Sequence, residues 1–302
     1  MNPGLRFEEL FDPAFLARLE PFTLRIAQAQ KGGRLADQRT SARGQGSDFA
    51  DFKPYVAGDD LRAIDWNIYR RLGRAFVKVF EERQDMPVYF LLDLSRSMFL
   101  ENPPRIHAAL RATLALGAIA LSQHDSVSLF PFSDNMTMEA RGISGRNNVI
   151  QIARRLSGLE AMGGTALADS ASKLAAMKLR QGLVVVVSDF FDEAGLDSVL
   201  RSLGRLPHRL LLVQLTRAAD ADPSLDPDLW GDVAIENGEN DSRIELTITP
   251  QLLERYRSAY RTFNDTLVDF VRGRGTGLIQ VDAGKDVLDA LSQHFTGGAL
   301  TL

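Results

Sequence analysis

The chain has 302 residues, 45% hydrophobic and 25% charged, and contains no cysteine. This composition is that of a globular protein, and it excludes a wholly disordered chain, disulfides, catalytic thiolates and metal sites built on thiolates. With 35 basic against 39 acidic residues, the net charge of -4 argues against a dedicated nucleic-acid or anionic-membrane binder.

The sequence shows neither a membrane span nor a signal peptide. Its most apolar helical stretch, Ala108 to Leu121, carries Arg111 within it, whereas a span needs about 18 to 20 apolar residues. The first residues carry acids where a signal peptide has a basic and then an apolar region. We therefore expect a soluble, cytoplasmic protein that binds no nucleic acid and has no membrane span.

Residues 1–86 are charge-rich and are predicted to form an N-terminal segment. An amphipathic helix is predicted from Pro13 to Gln30, bent or split at Pro21. Residues 25–43 carry five basic side chains against Asp37 alone. We interpret this stretch as a solvated basic linker, because no aromatic residues are interleaved in it for stacking on bases.

Residues 87–302 alternate strands with helices, which predicts a doubly wound α/β domain with a mainly parallel sheet and helices on both faces. Val88 to Leu92 and Leu183 to Val187 are continuous apolar runs, as expected of strands covered on both sides. Further strands are predicted at 126–132, 210–215 and 278–281, an edge strand at 136–140, and helices at 105–123, 147–159, 166–178, 195–203, 250–272 and 287–295.

An acidic excursion interrupts this pattern at residues 216–247, where nine acids stand against two arginines. The turn residues Asn237 and Gly238 lie between two short apolar segments, 233–235 and 244–246, which favours a hairpin. We interpret the excursion as solvated.

Acidic and hydroxyl side chains follow the two most apolar strands. Asp93, Ser95 and Ser97 come after the first, and Asp189 comes after the second. Because the carboxyl ends of parallel strands meet at one edge of the sheet, where open sheets place their ligands, we expect these side chains to lie together. A Gly-Gly loop ending at Thr165 adds a third hydroxyl just before a helix.

Two carboxylates and three hydroxyls form an all-oxygen donor set that suits Mg²⁺ or Mn²⁺. The two carboxylates offset the charge of the ion, and a coordination position left open would accept an oxygen from outside, most simply a carboxylate of a partner protein. Each motif alone is explained as a helix cap or a loop. The DxSxS motif, the Gly-Gly-Thr loop and the later aspartate occur in this order along the chain and at the strand ends that such a site requires. Together they favour a metal site.

These residues resemble the metal-ion-dependent adhesion site of von Willebrand factor A domains. That site uses a DxSxS motif, a loop threonine and a later aspartate. The matching positions here are Asp93, Ser95, Ser97, Thr165 and Asp189.

A segment upstream resembles the signature of the domain-of-unknown-function 58 family, which places such a segment before an A-type domain. The resemblance covers about residues 44–295 and departs at Tyr69, where a small residue is expected. The signature positions are Gly58, Asp59, Asp60, Arg62, Asp65 and Trp66.

This signature segment also has an interpretation from its residues alone. Gly58 makes a turn, and Asp59 or Asp60 caps a short helix on which Arg62 pairs with Asp65. Three apolar side chains are expected to anchor it: Leu61, Ile64 and Trp66. We interpret the segment as a structural clamp, with a separate binding site as the alternative.

The sequence favours an enzyme less. The four histidines show no metal-ligand spacing, and neither a GxSxG elbow nor a phosphate loop is present. The alternative function is a Mg²⁺-dependent phosphotransferase or hydrolase with Asp93 as nucleophile and Asp189 holding the ion. That chemistry usually has a second acid two residues after the nucleophile, where this chain has Ser95. A structural domain without a metal is a third possibility.

We therefore expect a non-enzymatic protein-interaction module that depends on Mg²⁺ or Mn²⁺. The family resemblance implies a MoxR-type AAA+ ATPase as its partner. It also implies that the pair acts like a chaperone in the assembly or maturation of other proteins.

Overall fold

The computed structural model describes residues 5–32, 43–81, 85–161, 163–225, 229–238 and 242–296. Contacts divide the chain into a smaller unit, residues 30–85, and a larger unit made of residues 1–29 and 86–302. Residues 1–86, which the sequence grouped as one segment, are thus shared between the two units. Apolar side chains near its start, such as Phe11 and Phe22, are buried in the core of the larger unit.

The helices and strands of the larger unit follow the alternating pattern of the sequence. Its helices are α1 Phe7–Leu10, α2 Pro13–Gly32, α4 Ser97–Leu100, α5 Arg105–Ser122, α6 Val149–Ser157, α7 Leu167–Ala176, α8 Leu196–Gly204, α9 Ala218–Ala221, α10 Pro250–Arg274 and α11 Val287–Thr296, the last turn of α2 falling in the smaller unit. Its strands are β3 Pro87–Asp93, β4 Ser126–Phe132, β5 Ala140–Ile143, β6 Leu183–Ser188, β7 Arg209–Thr216, β8 Gly231–Glu236, β9 Arg243–Ile248 and β10 Gly277–Asp282.

Six of these strands form one sheet in the order β10-β7-β6-β3-β4-β5. The first five are parallel, and β5 pairs antiparallel with β4. In the centre, Val88 of β3 lies level with Leu183 of β6 on one side and with Val127 of β4 on the other. The predicted fold class, α/β with a mainly parallel sheet, is confirmed.

Helices cover both faces of this sheet. Along β3, Val88, Phe90 and Leu92 point into a core formed with α1, α2, α5, α6 and α11. Tyr89 and Leu91 point into a second core formed with α7, α8 and α10. Every residue of β3 is buried, which explains why its sequence is continuously apolar instead of alternating.

The edge strand begins four residues later than the sequence predicted. Residues 136–140 run beside β4, with Thr137 N donating to Pro131 O and Glu139 N to Leu129 O. The strand itself spans Ala140–Ile143 and pairs with β4 across a register shift. Proline has no N–H group, so Pro131 cannot donate to a ladder at its own position.

Two other predictions concern helices. Pro21 lies inside α2, which is one helix from Pro13 to Gly32 and is not split there. Thr249 caps α10 by accepting a hydrogen bond from Leu252 N at 3.2 Å, as its position before a proline predicts. The helix ends at Gly275, whose φ of 63° is readily adopted by glycine.

Two shorter sheets complete the structure. The acidic excursion forms the predicted hairpin, with β8 and β9 antiparallel and the tip at residues 239–241 outside the described residues. The smaller unit pairs β1 Arg43–Pro54 with β2 Phe76–Glu81 and carries α3 Trp66–Leu72 between them. Most of the basic stretch, residues 33–42, lies outside the described residues. No described helix has the length and hydropathy needed to cross a membrane.

A glycine at the start of the sheet gives a stability test. A Cβ on Gly182, which precedes β6, would overlap the carbonyl oxygen of Pro87 and lie 2.7 Å from its Cγ. Gly182→Ala should therefore lower the free energy of unfolding by about 2 kcal/mol or more. Gly273, exposed near the end of α10, has no atom within 4 Å of such a Cβ. Gly273→Ala should leave stability unchanged or raise it by up to about 1 kcal/mol. Urea unfolding of both variants measures the difference, and equal effects would contradict this account of the strand contact.

Candidate functional site

The ends of two neighbouring strands bring two carboxylates together. Asp93 is the last residue of β3, and Asp189 directly follows β6, the strand paired with it. Asp93 is completely buried and Asp189 is 5% exposed. The hydroxyl of Ser188 donates to Asp93 Oδ2 at 2.6 Å, which links the two strand ends directly.

The turn after β3 carries the two serines of the DxSxS motif. Ser95 N donates to Asp93 Oδ1 at 2.9 Å, so the carboxylate closes the turn into which it projects. The hydroxyls of Ser95, which is fully buried, and Ser97, at the start of α4, lie 3.1 Å apart. The alternate positions of the DxSxS motif therefore bring its hydroxyls together in one short turn.

The loop that carries Thr165 is bonded to the same turn. Arg96 N donates to Gly163 O at 3.1 Å, and Ala166 N donates to Ser133 O at 3.1 Å. Thr165, 9% exposed, is thereby held at the edge of the sheet where β3 and β4 end. Gly163 has a φ of +55°, and a Cβ there would overlap the carboxylate of Asp134. The Gly-Gly sequence is thus explained by a close approach as well as by a turn.

The electrostatics of the acid pair are unfavourable without a cation. Burial, followed by the charge of Asp93, raises the pKa of Asp189 to about 7. Two groups act in the opposite direction: Phe191 N, which donates to Asp189 Oδ1 at 3.0 Å, and the positive charge of Arg105. They do not outweigh burial and repulsion.

Arg105 does not neutralise the pair, because other acids engage it. Its buried guanidinium donates to Glu101 Oε1 at 2.8 Å and to Asp220 Oδ2 at 2.9 Å. Arg217 also pairs with Glu101. This neighbouring cluster of two arginines and two acids therefore balances its own charge.

The donors at this edge fit a hard divalent cation. Among the described residues, no three His, Asp or Glu side chains come together as a metal-ligand group. A cation here would therefore depend on hydroxyl oxygens as well as the two carboxylates, a set that suits Mg²⁺ or Mn²⁺. It would add positive charge beside the two buried acids.

Three residues at this edge were not singled out as site residues from the sequence. Ser188 bonds Asp93, Asp134 Oδ1 accepts from Gly164 N at 2.8 Å, and Asp192 Oδ2 accepts from Leu167 N at 2.8 Å at the start of α7. Asp134 follows the apolar strand β4 as Asp93 ends β3, so the same pattern identifies it. Asp192 caps a helix that is distant in sequence, and only the fold shows that contact.

The predicted signature residues lie in the smaller unit, where two neighbouring aspartates accept hydrogen bonds from backbone N–H groups. Asp60 accepts from Arg62 N at 2.9 Å, and Asp59 accepts from Val56 N at 3.1 Å and pairs with Lys53. Gly58 precedes them with a φ of +112°, so the predicted turn at this position is present.

Two expectations for this segment were wrong. Asp65 pairs with Lys78 at 3.2 Å instead of Arg62, and its Oδ1 caps α3 by accepting from Asn67 N and Ile68 N. Of the three predicted anchors only Ile64 is buried; Leu61 and Trp66 are each 60% exposed. The Trp66 ring instead packs edge-on against Tyr69 at 6.0 Å, the position at which the sequence departs from the family pattern.

Comparison with known proteins gives the family. The chain matches the family described as "Protein of unknown function DUF58" over residues 51–266 and belongs to it. Relatives include "Uncharacterized protein Rv1480" of Mycobacterium tuberculosis and "Uncharacterized protein Mb1516" of Mycobacterium bovis. Each is 22% identical over 291 residues, which cover 95% of this chain and 90% of the relative.

Solved structures resemble the chain only distantly. The conserved hypothetical protein BatB from Bacteroides thetaiotaomicron is 13% identical, covering 71% of this chain and 98% of its own, with a TM-score of 0.41. An aerotolerance-related membrane protein from Bacteroides fragilis is 16% identical, covering 70% and 99%, with a TM-score of 0.42. Likeness at this level carries no information on metal binding or partners.

The acid pair predicts a pH dependence of stability in metal-free protein. Because the pKa of Asp189 is about 7 in the folded chain and near its ordinary value of 3.8 in the unfolded chain, the folded state binds more protons between these values. Its stability should therefore fall as the pH rises through about 4 to 7 and level off above. Wild-type protein in EDTA should lose at least about 2 °C more in Tm between about pH 5 and pH 8 than Asp189→Asn.

Comparing the two proteins removes the contribution of all other titrating groups. The same pH profile in both would show that the pKa of Asp189 is not raised. Adding Mg²⁺ at the higher pH should restore stability to the wild type and not to the variant, because the ion offsets the repulsion between the two buried acids.

Proposed function

We propose that this chain is a metal-dependent protein-interaction module with a von Willebrand factor A-like domain. The ion is Mg²⁺, or Mn²⁺, held by the hydroxyls of Ser95, Ser97 and Thr165 and by Asp93 and Asp189, directly or through water. The observation that carries this proposal is the burial of two carboxylates at adjacent strand ends, next to hydroxyl side chains.

The hydrogen bonds of Asp93 are compatible with this role. One of its oxygens accepts from Ser95 N and the other from the Ser188 hydroxyl. The protein bonds fix the orientation of the group, as contacts around metal ligands generally do.

The partner supplies the remaining ligand in this proposal. With two carboxylates, the loaded site is close to neutral, and a carboxylate from another protein would bind the ion without strong repulsion. Resemblance to the family implies a MoxR-type AAA+ ATPase as that partner, in a chaperone-like assembly that matures other proteins in the cytoplasm. Membership of the family supports this role, and the chemistry of the edge supports the metal contact.

We propose further that the module catalyses no reaction. A phosphotransferase would use Asp93 as nucleophile, yet both of its oxygens accept hydrogen bonds, which lowers their nucleophilicity. The position two residues later, where an acid would serve as general acid, is Ser95. These features favour a carboxylate that orients an ion over one that attacks a substrate.

Co-purification tests the metal bridge. The full chain, immobilised, should retain the MoxR-type ATPase in Mg²⁺ and release it in EDTA. Asp93→Asn should abolish retention in both buffers, because the substitution removes a charge from the ion's site. Asp269→Asn, which removes an exposed acid on α10, is the matched control and should bind like the wild type.

Two measurements make the result decisive. Circular dichroism of Asp93→Asn should match the wild type, which separates lost binding from lost fold. Calorimetric titration should give about one Mg²⁺ per wild-type chain and none for the variant. A complex that forms equally well in EDTA rules out the metal bridge, and a wild type that binds no ion leaves a purely structural domain.

Turnover distinguishes the interaction module from the enzyme. With Mg²⁺ and a generic phosphoester such as p-nitrophenyl phosphate, the wild type and Asp93→Asn should give the same background rate. A wild-type rate that exceeds the background by about ten-fold or more and disappears in the variant would establish the phosphotransferase or hydrolase instead.

A further inference from the structure

The backbone directly after β6 adopts a conformation that bulky residues rarely take. Phe190 has a φ of +67° and is completely buried. His124 and Lys178 also have positive φ values, but each lies just past the end of a helix, α5 or α7, where a left-handed residue is common. Phe190 follows a strand instead. An outlier of this kind persists only where its surroundings hold it, and it is found most often at functional sites.

Two kinds of contact hold Phe190 in this conformation. Its ring lies in the core formed with α7, α8 and α10. Its N–H donates to the hydroxyl oxygen of Ser188 at 2.9 Å, and the next N–H, that of Phe191, donates to Asp189 Oδ1 at 3.0 Å. The left-handed residue thus turns two successive N–H groups back onto the two side chains at the end of β6, which fixes both of them.

The hydroxyl of Ser188 connects this turn to Asp93. Because its oxygen accepts from Phe190 N, its proton is directed to Asp93 Oδ2, at 2.6 Å. The other oxygen of Asp93 accepts from Ser95 N at 2.9 Å. Donors from two different strand ends therefore hold the two oxygens of one buried carboxylate. A carboxylate held in this way cannot turn freely about its Cβ–Cγ bond.

Such rigidity distinguishes between divalent cations. Mg²⁺ requires a near-octahedral arrangement of oxygens at about 2.0 to 2.1 Å, whereas Ca²⁺ accepts about six to eight oxygens at about 2.3 to 2.6 Å in a flexible geometry. A carboxylate that keeps its orientation suits the ion with the strict geometry, and it resists the rearrangement that the larger ion requires. Groups that orient a metal ligand without touching the ion generally affect its affinity.

We infer that Ser188 is a positioning residue that sets the preference of the candidate site for Mg²⁺ over Ca²⁺. It acts through Asp93, whose carboxylate it holds, and it is not one of the proposed ligands. This inference rests on the proposed function. Without the hydroxyl, Asp93 Oδ2 loses this donor and the carboxylate gains freedom to turn, which weakens Mg²⁺ binding more than Ca²⁺ binding.

Calorimetric titration of the full chain with each ion tests this role. Ser188→Ala should bind Mg²⁺ about ten-fold more weakly than the wild type, and its affinity for Ca²⁺ should stay within about two-fold. The preference for Mg²⁺ should therefore fall about five-fold or more. Equal losses for both ions would overturn the inference, because the hydroxyl would then not distinguish between them.

Ser188→Thr keeps a hydroxyl at the same position and provides a second variant. It should retain the wild-type preference for Mg²⁺, and circular dichroism of both variants should match the wild type. A loss of preference in Ser188→Thr as large as that expected for Ser188→Ala would contradict the role of the hydroxyl.

Ser128→Ala is the matched control for a purely structural effect. Ser128 is a buried serine of β4, and its hydroxyl accepts from Gly142 N at 2.9 Å, as that of Ser188 accepts from Phe190 N. It lies level with Tyr89, near the start of β3 and away from the strand ends. This variant should keep the wild-type affinity for both ions. If Ser188→Ala gave the same two affinities as this control, the inference would be wrong.

Hydrogen exchange gives a readout that requires no metal. In EDTA, the amide of Phe190 should exchange about ten-fold faster in Ser188→Ala than in Ser128→Ala, because only the first variant removes its acceptor. Equal exchange rates in the two variants would show that the hydroxyl does not hold the turn, and would overturn the inference.

These results distinguish the inference from the proposed function. If the wild type binds neither ion, the metal site is wrong, and the role of Ser188 is wrong with it. If the wild type binds Mg²⁺ but shows no preference over Ca²⁺, or if Ser188→Ala keeps that preference, the metal site stands and only the role of Ser188 is wrong.

Discussion

The candidate site depends on one electrostatic constraint, the burial of two like charges at adjacent strand ends. A parallel sheet with helices on both faces removes its central strands from water over their whole length. Asp93 ends one such strand and Asp189 follows its neighbour, so both lie where water screens their charges poorly. The chain must protonate one of them, neutralise it with a cation, or accept the repulsion.

The surrounding groups orient this pair. The hydroxyl of Ser188 and the backbone N–H groups of Ser95 and Phe191 donate hydrogen bonds to the two acids. A full positive charge lies nearby on Arg105, but Glu101 and Asp220 bind it. A site whose charge is completed by a mobile ion can be loaded and emptied, whereas one completed by arginine would be permanent. The proposed metal-dependent contact requires such reversible loading.

The sequence predicted the features that follow from burial and failed where tertiary contacts decide. The runs ending at Asp93 and Asp189 identified the central strands, because only a strand covered on both faces is apolar throughout. The edge strand was misplaced because Pro131 interrupts donation from β4, a local effect that hydrophobicity does not report. Trp66 was assigned to a buried anchor by residue type alone, yet most of its side chain is exposed. The bond from Arg96 N to Gly163 O, which ties the loop of Thr165 to the DxSxS turn, joins residues almost seventy positions apart, and no local pattern encodes it.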